Sequence, residues 1–142
     1  GTLSPIPGFR DWFSYLEDAK IKNILGDVSI ENISFLKSPD LKVGDPRIVS
    51  NKVSITKLVA HYLMNEKNNK QLPINDVCRF HLGNGAIIDD IIINANVSEV
   101  GLNRSFGVMV NYLYELKNIE KNHEEYINNK TIIISDKLKK II

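Results

Sequence analysis

Three short segments of this 142-residue chain contain side chains that could carry proton-transfer chemistry. They are LSPIPGF at residues 3–9, FHLGNGA at residues 80–86 and SFGVMVNYLY at residues 105–114. His81 in the second segment suits proton transfer near neutral pH, because the unperturbed pKa of histidine is about 6.5. A serine before a proline, such as Ser4, is more often a turn residue, and a histidine between Phe and Leu is more often a core residue. The residues alone leave catalytic and structural interpretations open.

Two asparagines are candidates for ligand contact. Asn84 lies between two glycines, and backbone without side chains allows a ligand to approach closely. Asn-Gly is also the commonest dipeptide of tight turns, so the same residues fit a chain reversal. Asn111 lies in an otherwise apolar segment, where a buried amide needs a hydrogen-bond partner or a ligand. Tyr112 and Tyr114, which follow it, fit core residues with a solvated hydroxyl.

Other kinds of active site are missing from the sequence. The three histidines and the single cysteine do not have the spacing of zinc ligands. There is no glycine-rich nucleotide-binding motif and no GxSxG nucleophile motif. The acidic residues 89–90 are neighbours in a predicted strand and would point to opposite faces, so we interpret them as structural. We interpret His61 as a surface or core residue and His123 as a solvated one.

Composition indicates an ordinary globular protein of one domain. Hydrophobic residues make up 43% and charged residues 25% of the chain, which argues against disorder. Eighteen basic residues against 17 acidic ones give a net charge of +1, so charge predicts neither a nucleic-acid partner nor an acidic membrane. No apolar run approaches the roughly 20 residues of a membrane helix. A single cysteine excludes an intrachain disulfide, and the first residues lack a signal-peptide pattern, so we expect an intracellular protein.

The candidate residues must be positioned by a mixture of helices and strands. Phe9, Trp12, Phe13 and Leu16 have helical spacing, which predicts a helix over residues 9–16. Residues 26–52 contain glycines and prolines without a period, which predicts a loop with short helical turns. A second helix is predicted from a cap at Ser54, and a third from residue 75 or 76 to the glycines at 83–85.

The second half of the chain alternates strands and helices. Residues 87–93 and 107–114 are predicted strands, joined by a connector at 98–104 that could hold a helical turn. In the second strand Met109, Asn111 and Leu113 share one face, opposite the tyrosines. A polar helix near residues 120–128, a β-branched stretch at 131–134 and a helix after residue 135 complete the chain. So few strands make a poor sheet by themselves, and we therefore expect the C-terminal part of a larger catalytic domain.

Taken together and in this order, the three segments resemble the malonyl-CoA decarboxylase family. The similarity extends from residue 2 to the end of the chain. It implies an α+β fold with a mixed sheet flanked by helices, the second half of a fold like that of the GNAT acetyltransferases. It also implies that residues 1–142 are the C-terminal part of the catalytic domain, without the family's N-terminal helical domain and CoA-pyrophosphate loop.

The resemblance also assigns roles to residues. Ser4 matches the family's catalytic serine, His81 its catalytic histidine and Tyr114 a tyrosine of the active site, while Asn84 and Asn111 are substrate-binding candidates by their proximity to these motifs. The implied reaction converts malonyl-CoA to acetyl-CoA and CO2 through a thioester enolate that His81 protonates. No metal or organic cofactor is expected, because the thioester is the electron sink. The resemblance further implies a homo-oligomer in the cytoplasm, or in mitochondria or peroxisomes of a eukaryote, and an upstream polypeptide that completes the domain.

Two other functions remain compatible with the sequence. The GNAT-type fold commonly supports CoA-dependent acyltransferases, and a fold does not determine the chemistry. Acyl transfer to an amine, without loss of CO2 from malonyl-CoA, would identify such an enzyme. The chain could also be an inactive fragment that only pairs with its missing half.

Overall fold

The computed structural model of the chain describes residues 1–142 and has the α+β architecture expected from the sequence. The three strands are β1 (Thr2–Ser4), β2 (Ile87–Ile92) and β3 (Met109–Leu113). The eight helices are α1 (Phe9–Ser14), α2 (Asp18–Leu25), α3 (Pro46–Ser50), α4 (Lys52–Asn65), α5 (Asp76–Gly83), α6 (Glu99–Ser105), α7 (Ile119–Asn129) and α8 (Asp136–Ile141). Two 3₁₀ turns, Ile30–Asn32 and Ser34–Lys37, precede α3.

The three strands form one sheet in the order β1-β3-β2, with both pairs antiparallel. β1 pairs with β3 so that Ser4 lies opposite Val110, and residues paired in this way point to the same face. The mixed character expected of the sheet is limited to one isolated parallel bridge, between Ile88 and Ile134. The β-branched stretch at 131–134 therefore extends the sheet without forming a strand of its own.

Helices cover the buried face of the sheet, and their apolar spacing explains where they form. Phe9 and Phe13 of α1 are buried, and their rings contact Phe106 edge-on, with centroids 6.0 and 6.1 Å apart. Gly8 precedes α1 with a positive φ of 87°, a conformation that glycine adopts without strain. The stripe predicted over residues 9–16 is therefore confirmed as a core-facing one.

The helix starts show one wrong prediction and one confirmed one. Ser54 does not cap α4, because the helix begins earlier, after Asn51, and Ser54 is buried inside it. The helix predicted from residue 75 or 76 does form: the side chain of Asn75 accepts a hydrogen bond of 2.9 Å from the backbone N–H of Cys78 and so caps α5. The connector at 98–104 forms α6, which Ser98 caps through the N–H of Gly101.

Two further features of the fold differ from the expectations or add to them. Helix α2, which buries Ile21 and Leu25 on one face, was not predicted from the sequence. In β2 the register shifts between Ile88 and Asp90, a β-bulge that leaves the alternation of side chains broken at Asp89. The prediction that Asp89 and Asp90 point to opposite faces is therefore wrong, because both carboxylates approach the ammonium group of Lys137, at 3.2 and 3.7 Å.

A single hydrophobic cluster of 30 buried residues joins the helices to the sheet. It extends from Ile6 and the aromatic residues of α1 to Leu138 of α8, and it includes Val110 and Tyr112 of β3. No helix of the structure is both long enough and apolar enough to cross a membrane.

Candidate functional site

The structure brings together three of the five residues singled out from the sequence. Ser4 Oγ lies 3.0 Å from His81 Nε2, and the hydroxyl of Tyr114 lies 2.6 Å from His81 Nδ1. Both distances are within the range of hydrogen bonds. Each ring nitrogen of the histidine is therefore bonded to one hydroxyl group. We call this arrangement the Ser4–His81–Tyr114 triad.

Each member of the triad is positioned by a different element. Ser4 is the last residue of β1, and its pairing with Val110 turns its side chain to the buried face of the sheet. His81 lies in the last turn of α5, where the chain reverses at residues 83–85. Tyr114 directly follows β3 and has the same strand parity as Val110. Ser4 and His81 are 77 residues apart, so only the tertiary fold brings them together.

The environment of the triad favours its neutral form. Burial lowers the pKa of His81 below its ordinary value and raises that of Tyr114 above its own, because the charged form of each group is less well solvated. No side chain forms an ion pair with His81. A neutral imidazole has one N–H donor and one bare nitrogen, so one hydroxyl accepts from the ring while the other donates to it. Reversal of both bonds together would move a proton from one hydroxyl to the other.

A fourth side chain, Tyr112, contacts the ring of His81, although residue type and spacing did not assign it to the site. The two rings are stacked, with centroids 4.3 Å apart and planes inclined by 19°. Tyr112 is completely buried, and its hydroxyl has no hydrogen-bond partner. The alternation of β3 was the available signal, since it places Tyr112 and Tyr114 on one face of the strand. A further aromatic neighbour, Phe80, approaches the imidazole edge-on at 5.2 Å and is 64% exposed.

Asn84 lies in the turn after α5, not beside the triad. Its side-chain amide donates to the backbone carbonyl of Phe80 at 2.9 Å, and the residue is exposed. A cavity of about 500 Å³ opens here; its lining residues are Gly83, Asn84, Ile119, Glu120, His123 and Glu124. Helix α7 holds the turn from the other side, since Asn122 donates to the carbonyl of Gly85 at 3.2 Å and His123 to that of Gly83 at 2.6 Å. His123 is exposed, as expected, but it also has this structural contact.

Asn111 is separated from the triad by the sheet itself. Its position in β3 alternates with those of Val110 and Tyr112, so its side chain lies on the opposite face. There its amide donates to the carboxylate of Asp89 at 3.1 Å, which in turn pairs with Lys137. The polar group in the apolar strand therefore has a protein partner in this structure.

The remaining histidine and the acidic residues provide no second site. His61 of α4 is half-buried, and its Nε2 lies 3.3 Å from the carboxylate of Glu66. No group of three or more His, Cys, Asp or Glu side chains is placed so that it could hold a metal ion. Ser4, His81 and Tyr114 thus form the constellation in this chain with geometry for acid–base chemistry.

Comparison with known proteins gives one consistent result. The sequence profile of the family described as "Malonyl-CoA decarboxylase C-terminal domain" matches residues 1–142. Mitochondrial malonyl-CoA decarboxylase of Rattus norvegicus is 30% identical over 159 residues, which cover 99% of this chain and 32% of that protein.

Solved structures agree with the sequence comparison. The crystal structure of malonyl-CoA decarboxylase from Rhodopseudomonas palustris superposes with a TM-score of 0.86 at 33% identity, over 99% of this chain and 32% of that one. The enzyme from Agrobacterium vitis gives a TM-score of 0.81 at 32% identity, over 99% of this chain and 34% of that one. The chain therefore spans about a third of the length of the relatives it matches.

Proposed function

The chain belongs to the malonyl-CoA decarboxylase family, and we propose that it forms the C-terminal part of a catalytic domain that converts malonyl-CoA to acetyl-CoA and CO2. The observation that carries this proposal is the Ser4–His81–Tyr114 triad, in which two hydroxyl groups are bonded to the two nitrogens of one imidazole. Such an arrangement can deliver a proton to a reacting carbon and then recover one from solvent.

The reaction needs one proton and no oxidant or reductant. Cleavage of the bond between the carboxylate carbon and the α-carbon of malonyl-CoA releases CO2, and the bonding electron pair stays on the α-carbon, delocalised into the thioester as an enolate. Protonation of the α-carbon then gives acetyl-CoA. The protein must stabilise the enolate oxygen with fixed donors and supply that proton. The thioester accepts the electrons, so we propose that neither a metal ion nor an organic cofactor takes part.

We propose that His81, expected from the sequence to protonate the enolate, does so through Ser4: the Ser4 hydroxyl gives its proton to the α-carbon and takes one from His81 Nε2. Because burial lowers the pKa of His81, its imidazole is neutral at neutral pH. The proton therefore does not come from an imidazolium ion that is present before the reaction. In the productive arrangement Nε2–H donates to Ser4 Oγ while Nδ1 accepts from the hydroxyl of Tyr114. As Ser4 loses its proton to carbon it takes one from Nε2, and Nδ1 takes one from Tyr114, which recovers it from water. These transfers leave the imidazole as the Nδ1–H tautomer, and proton exchange with solvent returns it to the Nε2–H tautomer. One solvent proton is consumed per turnover.

We propose different substrate-binding roles for the two asparagines. Asn84 is exposed at the end of α5, three residues after His81, and it lines the cavity of about 500 Å³, so it is accessible to a ligand. Asn111 is bonded to Asp89 on the other face of the sheet, so we propose that it contributes to substrate binding only indirectly, by holding β3 and β2 together.

We propose that segments outside this chain complete the substrate site. Ser4 and His81 are only 5% and 8% exposed, whereas Phe80 next to them is largely exposed, as expected of a site covered by further protein. The relatives are about three times longer than the chain, which leaves ample sequence for such a cover. We also propose a homo-oligomer in the cytoplasm, or in the mitochondrion of a eukaryotic source, since the rat relative is named as mitochondrial.

The decisive experiment measures CO2 release from malonyl-CoA by the natural polypeptide that carries this chain. We expect release by the parent and its loss in His81→Ala. The matched control is His61→Ala, which removes a half-buried histidine that is bonded to Glu66, outside the triad, and should retain activity. A near-normal rate in His81→Ala refutes the assignment of the triad. If the folded parent binds CoA but transfers acyl groups to amines without releasing CO2, it is an acyltransferase. If activity appears only after the upstream region is added, the 142-residue chain alone is an incomplete half.

A further inference from the structure

The imidazole of His81 has more rotational freedom than its place in α5 suggests. The χ2 torsion of histidine has a broad, roughly two-fold distribution, so a helix backbone does not fix the plane of the ring. Yet both nitrogens must point at hydroxyl groups at the same time, Nε2 at Ser4 and Nδ1 at Tyr114, over 3.0 and 2.6 Å. Rotation about the Cβ–Cγ bond moves both nitrogens away from these partners. Something other than the helix must therefore hold the ring plane.

We propose that Tyr112 is a positioning residue whose ring holds the imidazole of His81 in the plane in which it reaches both Ser4 and Tyr114. The two rings lie 4.3 Å apart between centroids and within 19° of parallel, which is a stacked contact along the face of the imidazole. Tyr112 is completely buried in the hydrophobic core, so its own ring cannot rotate away. The effect of Tyr112 on reaction rate rests on the proposed function, but its effect on ring orientation does not.

The ring of Tyr112, and not its hydroxyl, makes this contribution. The hydroxyl is buried without a hydrogen-bond partner, and the group next to it is the buried thiol of Cys78. A buried polar group without a partner does not stabilise the fold. Of the other aromatic neighbours of His81, Phe80 is inclined by 80° and Tyr114 by 64° to the imidazole, so neither ring stacks on its face. Phenylalanine at position 112 should therefore serve as well as tyrosine.

The test compares three variants of the natural polypeptide that carries this chain. Tyr112→Leu removes the flat face but keeps the site apolar, and Tyr112→Phe keeps the face and removes only the hydroxyl. Tyr126→Leu is the matched control, because Tyr126 is also buried with an unpartnered hydroxyl but does not stack on His81. Crystal structures give the two distances to the imidazole, and malonyl-CoA decarboxylation gives kcat and KM separately.

We expect Tyr112→Leu to lose at least one of the two hydrogen bonds of His81 and to lower kcat about ten- to a hundredfold, the scale of a misplacement near 1 Å, with little change in KM. Tyr112→Phe should restore both distances and kcat, and Tyr126→Leu should change neither. The inference is overturned if Tyr112→Leu keeps both bonds, or if Tyr126→Leu lowers kcat equally. Tyr112→Met, which has no flat face, replaces the leucine variant if that one does not fold. A parent that releases no CO2 refutes the proposed function, whereas the two distances still decide the role of Tyr112.

Discussion

Removal of the Ser4 hydroxyl tests whether the triad acts as one unit. Ser4→Ala leaves Nε2 of the buried His81 without its partner at 3.0 Å, which should cost about 1–3 kcal/mol of unfolding free energy. If the hydroxyl passes the proton to the α-carbon, its loss should also lower kcat about 10²- to 10⁴-fold, the usual contribution of a positioned acid or base. This factor corresponds to about 3–5 kcal/mol of activation free energy.

The double variant makes the test sharper. In a relay, removal of either Ser4 or His81 breaks the same path, so the Ser4→Ala/His81→Ala enzyme should be about as slow as the slower single variant. Independent contributions would instead multiply, and two losses of about 10³ would give about 10⁶. The assay is CO2 release from malonyl-CoA under saturating substrate, with thermal unfolding measured in parallel. Multiplicative losses would refute the relay.

A second serine provides the control for stability. Ser105 is also buried, and its hydroxyl donates to the carbonyl of Val108 at 2.7 Å, away from His81. Ser105→Ala should therefore cause a similar loss of stability, about 1–3 kcal/mol, without the loss of kcat. A fall in kcat in Ser105→Ala as large as in Ser4→Ala would mean that the serine effect is one of folding and not of proton transfer.

Two further predictions concern the turn after α5 and the titration of His81. Gly85 has a φ of +91°, and an added Cβ would lie 2.5 Å from the carbonyl oxygen of Ile119, so Gly85→Ala should lower the unfolding free energy well beyond the roughly 1–2 kcal/mol of left-handed strain. Gly44→Ala, with a φ of +77° and open space, isolates the cost of a positive φ in the same denaturant titration, and equal losses would contradict the proposed clash. Burial lowers the pKa of His81 below its ordinary 6.5, so the unfolded chain takes up a proton first as the pH falls. The melting temperature should therefore decrease below about pH 6.5, and His81→Gln should reduce that decrease; an equal slope in both proteins would contradict it.

The sequence was most informative where local chemistry decides the structure. Hydrophobic spacing predicted α1 with its buried Phe9 and Phe13. The capping residue at position 75 predicted the start of α5, and the side chain of Asn75 does cap that helix. Local rules failed where neighbours in space decide instead. Ser54 is a good cap by residue type, but the preceding residues also form helix, so it lies inside α4. Asp89 violates strand alternation because a bulge interrupts the pairing of β2 with β3, which residue type does not reveal.

The sequence singled out three residues that the structure brings together, but it did not show their arrangement. The resemblance to a family singled out Ser4, His81 and Tyr114. Residue spacing could not show that Ser4 and His81, which are 77 positions apart in the chain, lie within 3.0 Å of each other. The alternation of β3 already separated Asn111 from the tyrosines, and the structure places its amide on Asp89. The same alternation grouped Tyr112 with Tyr114. The stacking of Tyr112 on His81 could not be predicted from the sequence, because it depends on where α5 packs against the sheet.

The geometry of the triad depends on the register of a strand only three residues long. A slip of β1 by one residue against β3 would turn Ser4 away from His81 and bring Leu3 to the buried face, since side chains alternate with a period of two. Three pairs of residues are too few to fix such a register alone. The segment immediately after β1 supplies the constraint, because Ile6 is completely buried and the amide of Asn75 donates to the carbonyl of Pro7 at 3.1 Å.

Asn75 therefore connects the two halves of the site. Its amide nitrogen holds the segment just after Ser4, while its carbonyl oxygen caps α5, the helix that carries His81 in its last turn. The residue is 2% exposed, so water competes little for either bond. One side chain thus sets the position of the serine segment relative to the histidine helix, and Tyr112 then sets the plane of the imidazole within that frame. The geometry of the triad thus depends on two buried residues outside it, Asn75 for its spacing and Tyr112 for the orientation of the imidazole.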